Sequence, residues 1–120
     1  MAVPILRQSS YLIATLESAM ADREIKRLQD ELADQVGRFR AKGVVIDVTA
    51  MDVIDSFSAR ALRTIASMTR LRGAPTVVVG IQPEVAHTMV QLGLTFQDVN
   101  TALDLEEGLA LLRRRTGNGS

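Results

Sequence analysis

The chain has 120 residues, which suits one domain burying about two-thirds of its unfolded surface, and 47% of them are hydrophobic while only 3% are aromatic. Fourteen basic residues balance fourteen acidic ones, so the electrostatic footprint of a sequence-independent nucleic-acid binder is excluded. The absence of cysteine excludes a disulfide framework and thiolate metal sites.

The N-terminal "MAVPILRQSS" carries no long apolar segment, and the longest apolar runs, "GVVI" and "VVVGI", cannot cross a bilayer. A soluble, cytoplasmic protein is the expectation. Short apolar runs broken by "RQSS" predict two short strands or a bent pair, Ile5 to Leu6 and Tyr11 to Leu16. Asp22 then reads as an N-cap, and Ile25, Leu28, Leu32, Val36 and Phe39 recur at helical steps up to Gly43. "GVVIDV" is a β-branched run typical of a strand buried on both faces.

A second helix is predicted from about Ser56 to Arg72, with Ala61, Leu62, Ile65, Met68 and Leu71 as its inner stripe and Gly73 ending it. "PTVVVGI" is another buried strand, and Pro83 opens a short helix stopped by Gly93. After an extended piece near Phe96 to Val99, Asp104 and Glu107 form a capping-box-like pair for a last helix through Arg115. Arg113, Arg114 and Arg115 fit the end of that helix, where cations offset the dipole, better than a nucleic-acid or lipid site. Alternating strands and helices imply an α/β domain: a central, mixed but mostly parallel sheet carrying about four helices. The domain is expected to span residues 1–115, with 116–120 as a flexible C-terminal tail.

Most catalytic chemistry finds no residues to perform it. His87 is the only histidine, so neither a histidine zinc site nor a Cys/His dyad can be assembled within one chain, and a surface position without catalytic work is expected for it. Asp47, Asp52 and Asp55 follow the "GVVID" strand and admit two readings. Carboxylates at the carboxyl end of a parallel strand can hold Mg²⁺ for an enzyme, or the three simply end a strand, occupy a turn and start a helix. Ser56 stands where the second helix begins. It is either an ordinary helix-start residue or a place where a phosphate is received by the helix N-terminus, with Ser58 sharing that argument one step further in.

"GVVIDVTAMDVIDSFSARAL", "VVVGIQPEVAHTMVQLG" and "TALDLEEGLALL", in this order and spacing, resemble the STAS-domain anti-sigma-factor antagonist family, in particular its stressosome scaffold branch. The "IDSF" and "GIQP" segments carry the specific part of the resemblance, which covers nearly the whole chain but is thin before Ala21. It implies a non-enzymatic single STAS domain without a cofactor, forming homo-oligomers and a large particle with RsbR-type co-antagonists. It further implies that the protein sequesters an RsbT-type serine kinase and is reset by an RsbX-type phosphatase, with neither nucleic acid nor membrane as partner. The family's phosphorylated serine follows the aspartate of the "IDS" motif, which falls on Ser56. Phe57, Ser58, Ala59 and Arg60 depart from the broader antagonist pattern, so Ser58 stands as an alternative acceptor. The kinase-binding surface implied comprises Asp52, Asp55, Ser56, Phe57, Ser58 and Arg60. An antagonist pairing with an anti-sigma kinase outside any particle is the alternative, and a Mg²⁺-dependent enzyme using the acidic trio is the rival from another class.

Overall fold

Five strands form one sheet in the order β1-β2-β3-β4-β5, in a computed structural model that describes residues 4–93 and 99–115. β1 (Ile5–Gln8) is antiparallel to β2 (Tyr11–Thr15), and β3 (Gly43–Asp47), β4 (Thr76–Val79) and β5 (Asn100–Ala102) follow in parallel. The helices are α1 (Asp22–Phe39), α2 (Ser56–Leu71), α3 (Pro83–Gln91) and α4 (Leu105–Arg115). The expected mixed, mostly parallel sheet with four helices is the observed architecture.

Strand order that runs monotonically from β2 to β5, joined by right-handed crossovers, sends α1, α2 and α3 to the same face of the sheet. α4 follows β5 and closes the other face. The alternation of side chains in the strands divides the core accordingly. Leu12, Ala14, Val44, Ile46 and Val78 pack with Leu28 and Leu32 of α1, Leu62 and Ile65 of α2, and Val85 of α3. Tyr11, Ile13, Val45, Val77 and Val79 pack with Leu109 and Leu112 of α4. Among the described residues no helix is long and apolar enough to cross a membrane.

Several local expectations need correction. β1 extends to Gln8 rather than stopping at Leu6. The N-cap of α1 is Ala21, not Asp22. Starting one residue earlier puts Glu24 at the third helical position, where its carboxylate accepts the Ala21 amide at 2.8 Å. α1 ends at Phe39, because Arg40 turns into the left-handed region at φ 51°. Phe39 lies beyond the edge of the core, 41% exposed, with the Arg7 guanidinium 4.5 Å from its ring centre.

α2 ends at Leu71, one residue short of the expected Arg72. Leu71 itself is 87% exposed, because at about 100° per residue it stands opposite Leu62. Met68 is only half-buried, whereas Ala61, Leu62 and Ile65 are buried as expected and are joined by Ser58, Ala59, Ala66 and Thr69. Thr69 is tolerated there because its hydroxyl meets that of Thr76 at 2.7 Å. Most of the extended piece expected near Phe96 to Val99 lies outside the described residues, as does the tail at 116–120; the strand described after it is Asn100–Ala102. Pro83 is the first residue of α3 as expected, with His87 exposed on it. At α4 the Asp104 carboxylate accepts the Glu107 amide at 2.9 Å, while Glu107 reaches back to the amide of Leu103 at 3.1 Å.

Candidate functional site

The carboxyl ends of β3 and β4 carry the segment that joins β3 to α2. Its first fixed point is Asp47, which ends β3 and accepts both the amide and the hydroxyl of Thr49, at 2.9 and 2.6 Å. That is the local turn which aspartate makes readily. Gly80, at φ 78°, brings the end of β4 so close to Thr49 that a Cβ there would collide with it. Gln82 then donates its side-chain amide to the Thr49 carbonyl at 2.8 Å, tying the start of α3 to the same turn.

The middle of the segment is anchored from below and from the side. Met51 and Ile54 are buried in the core, leaving Asp52 and Val53 exposed between them. Ser18, on the β2–α1 connection, donates its hydroxyl to Asp52 Oδ1 at 2.7 Å and accepts the amides of Asp52 and Val53 at 2.9 and 3.3 Å. Val53, 66% exposed, is an apolar side chain held outward on this rigid turn.

α2 starts from Asp55, whose extended backbone and carboxylate make it the N-cap; Oδ1 accepts the Ser58 amide at 2.8 Å. That amide bond is the main reason the Asp55 carboxyl is held below the ordinary aspartate value; desolvation opposes it, and the Ser58 hydroxyl and the Arg60 charge add smaller effects in the lowering direction. Ser56 is therefore the first helical residue and is exposed. Phe57 is half-buried and packs against the core, and Ser58 is only 7% exposed. Arg60, one turn on, returns to the surface.

Ser56 opens onto a pocket of about 180 Å³ lined by Ala59, Arg60, Arg63 and Leu92, so cationic side chains stand along α2 beside its hydroxyl. On the other flank, Phe57 and Arg60 border a groove of about 260 Å³ against Lys26 and Gln29 of α1. The surface thus presents Asp52, Asp55, Ser56 and Arg60 together, with Phe57 at its edge and Ser58 beneath it.

The acidic trio does not converge. Asp47 is engaged with Thr49, Asp52 with Ser18 and Asp55 with the helix start, and among the described residues no group of three or more His, Asp or Glu side chains is placed to hold a metal ion. These donor sets are those of a turn, a tether and a cap. Sequence reasoning did not single out Ser18, Val53, Arg63 or Leu92. A serine bonding 34 residues away has no periodic signature, and Val53 would have been legible only as the outward residue between Met51 and Ile54.

A family model described as STAS domain matches residues 2–108. Among curated proteins, the RsbT co-antagonist protein RsbRA of Bacillus subtilis is 33% identical over 98 residues, covering 82% of this chain and 34% of that one. The chain spans about a third of the length of the curated relatives of this kind. Among solved structures, a serine-to-glutamate variant of RsbS from Moorella thermoacetica is 35% identical with a TM-score of 0.86, over 94% of this chain and 96% of that one. A chain of the stressosome, described as a signal integration and transduction hub, is 36% identical with a TM-score of 0.83, over 93% of this chain and 97% of that one.

Proposed function

The chain belongs to the STAS-domain family, and on that premise we propose that it is an RsbS-like, non-enzymatic scaffold that binds a serine kinase and releases it when Ser56 is phosphorylated. The kinase is of the RsbT type, the co-scaffolds are RsbR-type STAS proteins, and an RsbX-type phosphatase removes the phosphate. Such a scaffold would work in the cytoplasm as part of a large hetero-oligomer. The names of the relatives support this choice of partners, since RsbRA is called an RsbT co-antagonist and a similar chain belongs to the stressosome.

One observation carries the assignment of the acceptor: Ser56 is exposed on the first turn of α2, whereas Ser58 is buried and its amide is tied to Asp55. A kinase must draw the acceptor hydroxyl into its own active site, which Ser56 permits without moving the helix. The added group carries close to two negative charges at neutral pH, and it would sit at the positive end of the α2 dipole. The fold is therefore expected to survive modification. What changes is the surface, where the new charge joins Asp52 and Asp55 and turns a mixed patch acidic. Val53 and Phe57 offer apolar contact around it, and Arg60 sets the charge match that selects the partner.

Phosphopeptide mass spectrometry after incubation with the cognate kinase tests the assignment; label on Ser56 supports it, and label confined to Ser58 rejects it. Light scattering with an RsbR-type partner separates the particle from the alternative of a free antagonist of an anti-sigma kinase, because only a stressosome component enters a very large complex.

A further inference from the structure

At the other end of the sheet from Ser56, below the starts of β3 and β4, lies a concavity of about 610 Å³. Four of its lining residues are cations contributed by separate places in the chain: Arg40 after α1, Lys42 before β3, Arg72 after α2, and Arg115 at the end of α4. Among the described residues none that lines it is acidic, although the whole chain is formally neutral.

The plain account of cations at helix ends is that they offset the dipole. A helix C-terminus is equivalent to about half a negative charge, so the ends of α1, α2 and α4 answer for about 1.5 positive charges, half of what the three guanidinium groups alone bring.

Two backbone features accompany these cations. Arg40 occupies the left-handed conformation at φ 51°, a helix-terminating position usually given to glycine or asparagine. Gly37 lies inside α1, where alanine would favour the helix, and a Cβ at that position would collide with the guanidinium of Arg72. The missing methyl group is the space in which the Arg72 head group rests against α1.

We propose that this basin binds a compact polyanion carrying two or more phosphate groups. Guanidinium groups match phosphate oxygens in paired hydrogen bonds, and the basin has three of them. Its volume falls within the roughly 300–1,000 Å³ of small-molecule sites, more than a single phosphate needs. Among the described residues the lining contains no aromatic ring, and its apolar part is limited to small contributions such as Val36, Ala41 and Pro75, so charge rather than an apolar body is what it recognises. Convergence of the cations on one basin, instead of a line along a groove, fits a compact anion better than an acidic chain. The inference is independent of the reading of Ser56.

Calorimetric titration of the full chain with inorganic tripolyphosphate at low salt tests it, with circular dichroism confirming that each variant is folded. Saturable binding is expected, weakened about tenfold by Arg72→Gln and by Arg40→Asn, the latter chosen because asparagine tolerates the left-handed turn. Arg27→Gln, which removes an exposed α1 cation outside the basin, leaves affinity unchanged within about twofold. Gly37→Ala removes no charge and favours the helix, so it displaces the Arg72 head group and weakens binding while the thermal midpoint rises. Absence of binding, equal losses in Arg27→Gln and Arg72→Gln, or tighter binding of a hexaglutamate peptide than of tripolyphosphate would each overturn the proposal, the last by assigning the basin to an acidic protein segment.

Discussion

Ser18 and Asp52 hold each other twice across 34 residues of sequence: the Ser18 hydroxyl donates to the Asp52 carboxylate at 2.7 Å and accepts the Asp52 amide at 2.9 Å. With Met51 and Ile54 buried on either side, this exchange fixes the height and orientation of the exposed turn in front of Ser56. Ser18→Ala removes both of these bonds and the one from the Val53 amide without disturbing the core, and a cost of about 1 kcal/mol is expected. Faster amide exchange at Asp52 and Val53, with little change elsewhere, is the expected signature. Unchanged exchange would mean that the two buried side chains hold the turn unaided.

Asp55 caps α2, so Asp55→Ala is expected to lower stability by about 1 kcal/mol, while Asp55→Asn, which keeps a capping oxygen, loses much less. The pH dependence has a definite sign. The folded-state carboxyl is held below its ordinary value, chiefly by the Ser58 amide, so its contribution is present above the unfolded-state value and is lost as pH falls through the folded one. Urea unfolding at neutral pH and again below the ordinary carboxylate range should therefore show a smaller acid-induced loss in Asp55→Asn than in the parent. An equal loss in both would remove Asp55 from the acid-sensitive groups.

For Ser56, the expected pattern separates folding from binding. Ser56→Asp should leave the thermal midpoint close to the parent, since a negative charge on the first turn of a helix contributes about 0.3–1 kcal/mol in its favour. The same variant should bind the cognate kinase about tenfold more weakly, a difference of about 1.4 kcal/mol, in line with a misplaced charge at an interface. Ser56→Ala should retain binding and abolish phosphate incorporation. Titration of the three forms against the kinase checks this, and equal affinity of the aspartate form and the parent would refute release by charge.

How much of this could be read from residues alone depended on periodicity. β3 and β4 are β-branched runs buried on both faces, and α1 and α2 repeat their apolar residues at helical steps, so all four were legible. Capping was legible where a side chain performs it, at Asp55 and Asp104, and hidden at Ala21, where only the Glu24 carboxylate and backbone carbonyls act. Leu71 was misread because its spacing from Met68 suits a stripe, whereas its phase relative to Leu62 does not. The position of Ser56 at the start of α2 was legible from the join of strand and helix patterns. The Ser18 tether and the basic basin were not, since each is assembled by loops and helix ends that only the folded topology brings together.

Gly108 offers a last test of how closely α4 is docked. The usual effect of replacing a mid-helix glycine by alanine is a gain of about 1 kcal/mol. A Cβ at Gly108, however, would stand 2.6 Å from Cγ1 of Val79 and 3.3 Å from that of Val77, both buried in the sheet. Valine is stiff about its first side-chain torsion and both residues belong to a fully packed layer, so the strain falls on the helix position, at a typical overpacking cost of about 1–3 kcal/mol. The steric loss exceeds the propensity gain, and Gly108→Ala is expected to destabilise the domain by about 1 kcal/mol net. Gly37→Ala makes the contrasting case, because the group it meets is the free end of the Arg72 side chain, which can swing away, so the helix gain should survive. Chemical denaturation of the two variants side by side checks the argument: both stabilised would mean that α4 stands further from β4 than these contacts imply.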